Sequence, residues 1–198
     1  MRKYILLLFC LMSSLCSAQN FPYQISQTTR SSISDELRCI FFDKLGLMWL
    51  GTNSGLKVYD GYTIKTYKSD AFSPGILPNN QIRCIAEDHH NCLWIGTCNG
   101  LVRMDKRTRK FHTYYLPQDN QRIIYTIYCS HDGTIWIGTD GGLSYYIPRT
   151  NKFYTYNQAN TYLIQAGRKE TRITNYSVKS ITEDGKGNLF IGTWRHGL

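Results

Sequence analysis

Four short tips in this 198-residue chain carry the groups best suited to binding chemistry: Asn53-Ser54, Cys98-Asn99, Asp140-Gly141 and Trp194-Arg195-His196. Amides, a carboxylate, a guanidinium and an indole hydrogen-bond sugar hydroxyls and stack on the apolar face of a sugar ring. Other reactive residue types lead elsewhere. Asp43, Asp88 and Asp184 occupy one place in separate copies of a repeat, so no two form an acid and base pair; a turn-forming hydrogen-bond acceptor is expected there. His89 and His131 share another such place, with His90 beside the first. Tetrahedral zinc needs further ligands nearby that this spacing does not supply, so no metal or other cofactor is expected, and no catalytic residue is assigned.

The tips interrupt a recurring phrase. It reads LMWLGTNSGL from Leu47, CLWIGTCNGL from Cys92, TIWIGTDGGL from Thr134 and NLFIGTWRHGL from Asn188, and its aromatics Trp49, Trp94, Trp136 and Phe190 lie 45, 42 and 54 residues apart. That period belongs to propellers and solenoids. Within one copy, QIRCIAED, CLWIGT, GLVRMD and KFHTYYL are short runs rich in β-branched and aromatic residues, separated by turn residues, which favours four antiparallel strands. Runs such as Leu93-Trp94-Ile95 are apolar on consecutive residues, so both strand faces are buried, as in sheets stacked face to face. The expected fold is all-β: an incomplete β-propeller of four-stranded antiparallel blades, about three and a half of them. The repeats are placed at 37–78, 79–120, 121–172 and 173–198, the third ending in a long inter-blade loop and the fourth truncated, with further blades expected downstream.

Sequential strands numbered outward from the axis put the second-to-third turns at one end, together with the connections after Tyr67, Tyr114 and Tyr156. The four tips therefore share a face. The candidate ligand residues are Trp194, Arg195, His196, Asp140, Asn99 and Asn53; the repeated Trp49, Gly51, Thr52, Gly55 and Leu56 are expected to pack blade on blade and shape the hairpin. Residues 157–177 form the longest connection, a candidate cap carrying Arg168, Lys169 and Arg172.

Residues 1–18 have the layout of a cleaved secretory signal peptide: Arg2 and Lys3, an apolar stretch from Tyr4 to Met12, then Cys16-Ser17-Ala18. Its apolar core is too short to span a bilayer comfortably. Residues 19–36 lead into the first repeat. Export makes nucleic acid an improbable partner for the formal charge of +9, whose lysines and arginines are scattered; the run Lys106 to Lys110 is expected to be a solvated turn. Of seven cysteines, Cys10 and Cys16 leave with the leader, and an odd remainder cannot pair fully. Cys39 and Cys84 stand where Thr126 and Ser180 stand in later repeats, which points to packing.

The phrases IAEDHHNCLWIGTCNGL and ITEDGKGNLFIGTWRHGL resemble the two-component regulator propeller repeat, and the opening FFDKLGLMWLGTNSGLKVYDGY after a signal peptide is similar to the start of hybrid two-component sensor histidine kinases of Bacteroides-like bacteria. The resemblance covers essentially all of the mature chain. It implies a periplasmic ligand-sensing region, not itself an enzyme, that recognises glycan-derived oligosaccharides. It further implies a full-length homodimer anchored in the inner membrane by a downstream segment, with a histidine kinase and phosphorelay controlling transcription. Alternatives are the sensor propeller of a diguanylate cyclase and a secreted propeller enzyme acting on carbohydrate.

Overall fold

In the computed structural model the described residues are 36–69, 75–116, 121–156 and 177–194. They form fourteen strands and no α-helix. The first sheet is β1 (Leu37–Phe42), β2 (Met48–Thr52), β3 (Gly55–Tyr59) and β4 (Ile64–Tyr67), paired in sequence order. The second is β5 (Ile82–Glu87), β6 (Cys92–Thr97), β7 (Gly100–Asp105) and β8 (Phe111–Tyr114); the third is β9 (Ile124–Cys129), β10 (Ile135–Thr139), β11 (Gly142–Ile147) and β12 (Lys152–Thr155). A fourth sheet contains β13 (Val178–Glu183) and β14 (Leu189–Thr193). All pairings are antiparallel. First strands stand beside first strands from one sheet to the next, β1 on β5, β5 on β9 and β9 on β13, so they line the axis of an incomplete propeller.

The repeated glycine sets how closely blades approach. A Cβ on Gly51 would collide with Cys39 Sγ of its own blade and with Ile82 of the next; Gly96 meets Cys84 and Ile124 in the same way, and Gly138 meets Thr126 and Val178. The cysteines are therefore fillers beside a glycine. Burial pushes the Cys39 thiol up to about 11, a backbone hydrogen bond opposing only weakly, and pushes Cys129 up to about 12; Cys84 moves further in the same direction. These thiols stay protonated at neutral pH, which removes them as nucleophiles.

The rest of the phrase fixes the hairpin. Thr52, Thr97 and Thr139 each donate a hydroxyl hydrogen bond at 2.8 to 2.9 Å to the carbonyl of Gly55, Gly100 and Gly142. Each hydroxyl also accepts the amide of the second tip residue, Ser54, Asn99 or Gly141. Gly55 has φ +132°, and a Cβ there would meet the Tyr67 carbonyl, so glycine is required for both conformation and space.

Trp49 and Trp94 are fully buried, and their indole Nε1 donates to Asp43 Oδ2 at 3.1 Å and Asp88 Oδ2 at 2.8 Å. The other carboxylate oxygen accepts turn amides: Leu45 and Leu47 for Asp43, His90 and Cys92 for Asp88. In the fourth repeat Phe190 has no indole, and Asn188 Nδ2 donates to Asp184 Oδ2 instead. Ser130 replaces the aspartate in the third.

Lys106 departs from the expectation of a solvated turn. It is 8% exposed and reaches back to the preceding blade, with Nζ 3.1 Å from Asp43 Oδ2 and 2.6 Å from Glu87 Oε1. Sequence position put it in a turn; blade stacking brought Asp43 to it, and Glu87 comes from its own blade. On the first blade, Leu37, Ile40 and Phe42 are 40%, 54% and 65% exposed, whereas Ile127 and Ile181, the counterparts of Ile40, are 9% and 8%. The face that the third and fourth blades bury against their predecessors is open on β1.

Candidate functional site

The two ends of the wheel differ in chemistry. At the end of the first-to-second turns, polar residues clasp neighbouring blades. Lys44 Nζ donates to the Asp88 carbonyl at 3.1 Å and its amide to Glu87 Oε2; His89 Nε2 lies 3.1 Å from the Ser130 carbonyl; His131 Nδ1 pairs with Glu183 Oε1. His89 and His131 are thus inter-blade contacts. Burial opposes ionisation of Glu183, but hydrogen bonds from Ser130 Oγ and from the amide and ring of His131 outweigh it and hold the carboxyl below its ordinary value. A cleft of about 410 Å³ bordered by His90, Asp132 and Arg149 opens at this end. Among the described residues no group of three His, Cys, Asp or Glu side chains is placed to hold a metal ion.

The opposite end carries the variable tips, and one backbone device holds them all. The amides of Asn53, Cys98, Asp140 and Trp194 donate to the carbonyls of Glu36, Gln81, Ile123 and Ser177, each the residue before the first strand of its own blade. Each tip is thereby pinned beside the axis. Asn53 is further engaged, its Oδ1 accepting from Arg38 Nε and its Nδ2 donating to Glu36. Asp140 Oδ1 accepts the Ile123 amide at 3.3 Å. Asn99 bonds through its backbone to Thr97, and Trp194 is 62% exposed. The structure therefore puts Asn53, Asn99, Asp140 and Trp194 on one rim. Arg195 and His196 lie outside the described residues, as do the cap residues Arg168, Lys169 and Arg172.

A second set of rim residues escaped the sequence reading. In every blade the pairing of first and second strands slips by one residue at the same point: Leu37 and Cys39 pair with Thr52 and Gly51, Ile82 and Cys84 with Thr97 and Gly96, Ile124 and Thr126 with Thr139 and Gly138, Val178 and Ser180 with Thr193 and Gly192. The extra residue of each β-bulge is Arg38, Arg83, Tyr125 or Lys179, re-aimed out of the strand's alternation. Three of them touch the tip of their own blade. Arg38 Nε donates to Asn53 Oδ1 at 3.0 Å, Arg83 Nε to Cys98 Sγ at 2.9 Å, and Lys179 Nζ stands 5.5 Å from the Trp194 ring centroid. Aligning the repeats would have shown large polar or aromatic residues at this position, between an apolar residue and a small Cys, Thr or Ser.

The sequence model described as two component regulator propeller matches residues 76–99, 118–141 and 172–195. Those three segments are similar to two component regulator propeller repeats. These segments contain the first strands of the second, third and fourth copies and the repeated phrase as far as its tip, stopping before the closing Gly-Leu and, in the fourth copy, before His196. Among solved structures, the chain is similar to the extracellular domain of BT3049 from B. thetaiotaomicron, a protein assigned to the hybrid two component systems, with 27% identity and a TM-score of 0.63 over 80% of this chain. It spans 22% of that chain. Virginiamycin B lyase from Staphylococcus aureus, at 16% identity and a TM-score of 0.59 over 79% of this chain and 48% of its own, shares the fold. No curated protein sequence matches the chain.

Proposed function

We propose that this propeller-repeat chain is part of the extracytoplasmic sensor region of a hybrid two-component system, that its variable rim contacts a glycan-derived oligosaccharide, and that the full-length protein converts binding into phosphorelay and transcriptional control. The observation that carries this reading is the 27% identity to the extracellular domain of a hybrid two-component protein over most of the chain, joined to the propeller repeats. The signal-peptide pattern of residues 1–18 supports export to the periplasm, with anchoring in the inner membrane through a segment outside this sequence. Among the described residues, no helix is long and apolar enough to cross a membrane.

The geometry suits recognition. A repeated Trp or Phe with constant Gly and Thr residues builds a stiff scaffold, while the tips and bulge residues vary from blade to blade on one rim. A ligand signals only by binding one arrangement of the protein better than another. In a homodimeric sensor that difference lies in how the two propeller regions sit, and a membrane segment transmits it. The kinase activity belongs to the full-length protein.

Calorimetric titration of the full-length protein with purified oligosaccharides, together with a transcriptional reporter in the parent cell, tests the proposal. A saccharide that both binds and induces the reporter is expected. Binding of none, with a reporter indifferent to all, refutes it.

A further inference from the structure

The bulge at the inner end of each first strand sets Arg83, Tyr125 and Lys179 side by side on three consecutive blades. Lys179 Nζ lies 2.9 Å from the Tyr125 ring centroid and 5.5 Å from that of Trp194, and Arg83 Cζ lies 5.4 Å from Tyr125. Two cations thus reach one aromatic ring from the blades on either side. A ring face holds a cation through its quadrupole and leaves the remaining N–H donors pointing elsewhere.

Neither cation has a carboxylate partner among the described residues; Arg83 spends one N–H on Cys98 Sγ. The neighbouring rim charges are already committed. Arg38 pairs with Glu36 at 2.9 Å, and Asp140 accepts the Ile123 amide. Around Tyr125 the rim therefore offers two cations that have no counter-ion among the described residues, beside the exposed indole of Trp194. An anion docking at this rim would meet charge-assisted donors on the two blades flanking Tyr125, and the attached sugar ring would find the exposed Trp194 indole.

We propose that Arg83, Tyr125, Lys179 and Trp194 form a subsite for an acidic sugar, one bearing a carboxylate or a sulfate. This deepens the oligosaccharide-sensing reading and rests on it.

The test uses full-length protein and an array in which each carboxylate- or sulfate-bearing oligosaccharide is matched with its neutral parent. The same array is read with Arg83→Gln, Lys179→Gln, Lys179→Arg and, as a control at the opposite end of the blades, Lys186→Gln. Acidic members are expected to bind in preference to their parents, and affinity to fall as salt rises. Arg83→Gln and Lys179→Gln each weaken binding about tenfold or more, the loss of one hydrogen bond to a charged group. Lys179→Arg keeps most of it, and Lys186→Gln, an exposed lysine in a first-to-second turn at the opposite end, changes it by less than about twofold. The members bound distinguish carboxylate from sulfate. Binding of neutral members alone, or acidic binding indifferent to both glutamine variants, overturns the acidic subsite and leaves oligosaccharide sensing standing. Binding of no saccharide, with no induction of output, overturns both.

Discussion

Replacing Trp49 by Phe separates the two roles of the repeated tryptophan. The indole is fully buried and donates to Asp43 Oδ2 at 3.1 Å. Its loss leaves a buried carboxylate oxygen short of a donor, about 1.5–3 kcal/mol for a hydrogen bond to a charged group. The smaller ring also leaves a void of about 40 Å³, about 1 kcal/mol. Trp49→Phe is therefore expected to destabilise by about 2.5–4 kcal/mol, measured by urea denaturation of the full-length protein at the propeller transition. Asp43→Ser, copying Ser130 of the third blade, completes a double-mutant cycle whose coupling should be about 1.5–3 kcal/mol. The pH dependence gives a second readout. Burial raises the Asp43 carboxyl, but bonds from the Trp49 indole, from Lys106 and from the Leu47 and Leu45 amides outweigh it and hold it below the ordinary carboxylate range. Its stabilising contribution is complete above the unfolded value of about 3.9 and is lost as pH falls through the lower folded value. In Trp49→Phe the folded value rises, so acid unfolding begins at higher pH. Coupling below about 0.5 kcal/mol, or an unchanged acid limb, would refute the assignment of the indole as a polar anchor.

Three further outcomes test the packing. Lys106→Met leaves Asp43 and Glu87 buried without their cation and should cost about 3–5 kcal/mol by the same denaturation assay, whereas a solvated lysine would cost almost nothing. Gly96→Ala should cost about 1–3 kcal/mol, because the added methyl meets Cys84 Sγ and Ile124; adding Cys84→Ala should recover part of the loss but not all, since Ile124 remains. At pH 7 in the folded protein, Cys39, Cys84 and Cys129 should resist a thiol-specific reagent and react only on unfolding, as mass mapping of labelled peptides would show.

Much of the fold was legible because each element repeats. Trp49 and Trp94 mark one structural place, and the four runs read around Trp94 became β5 to β8 within a residue or two of their sequence limits. The shared end of the tips also followed from strand order alone. Lys106 was misread because a turn lysine looks the same in sequence whether its neighbour is water or the aspartate of another blade. His89 and His131 likewise gave no sequence sign of the partners that they meet on the next blade. The bulge residues were missed for a different reason: a one-residue slip in pairing changes where a side chain points without changing its residue type.

The sequence by itself determined the architecture of this protein, because spaced copies of one phrase impose the same strands, hairpins and buried faces wherever they occur. Only the tertiary structure decided which polar residues serve the scaffold and which face the rim. That choice depends on contacts between residues forty or more positions apart, such as Lys106 with Asp43 or Lys179 with Tyr125. Those contacts arise when blades stack, and the pattern within a single blade does not contain them.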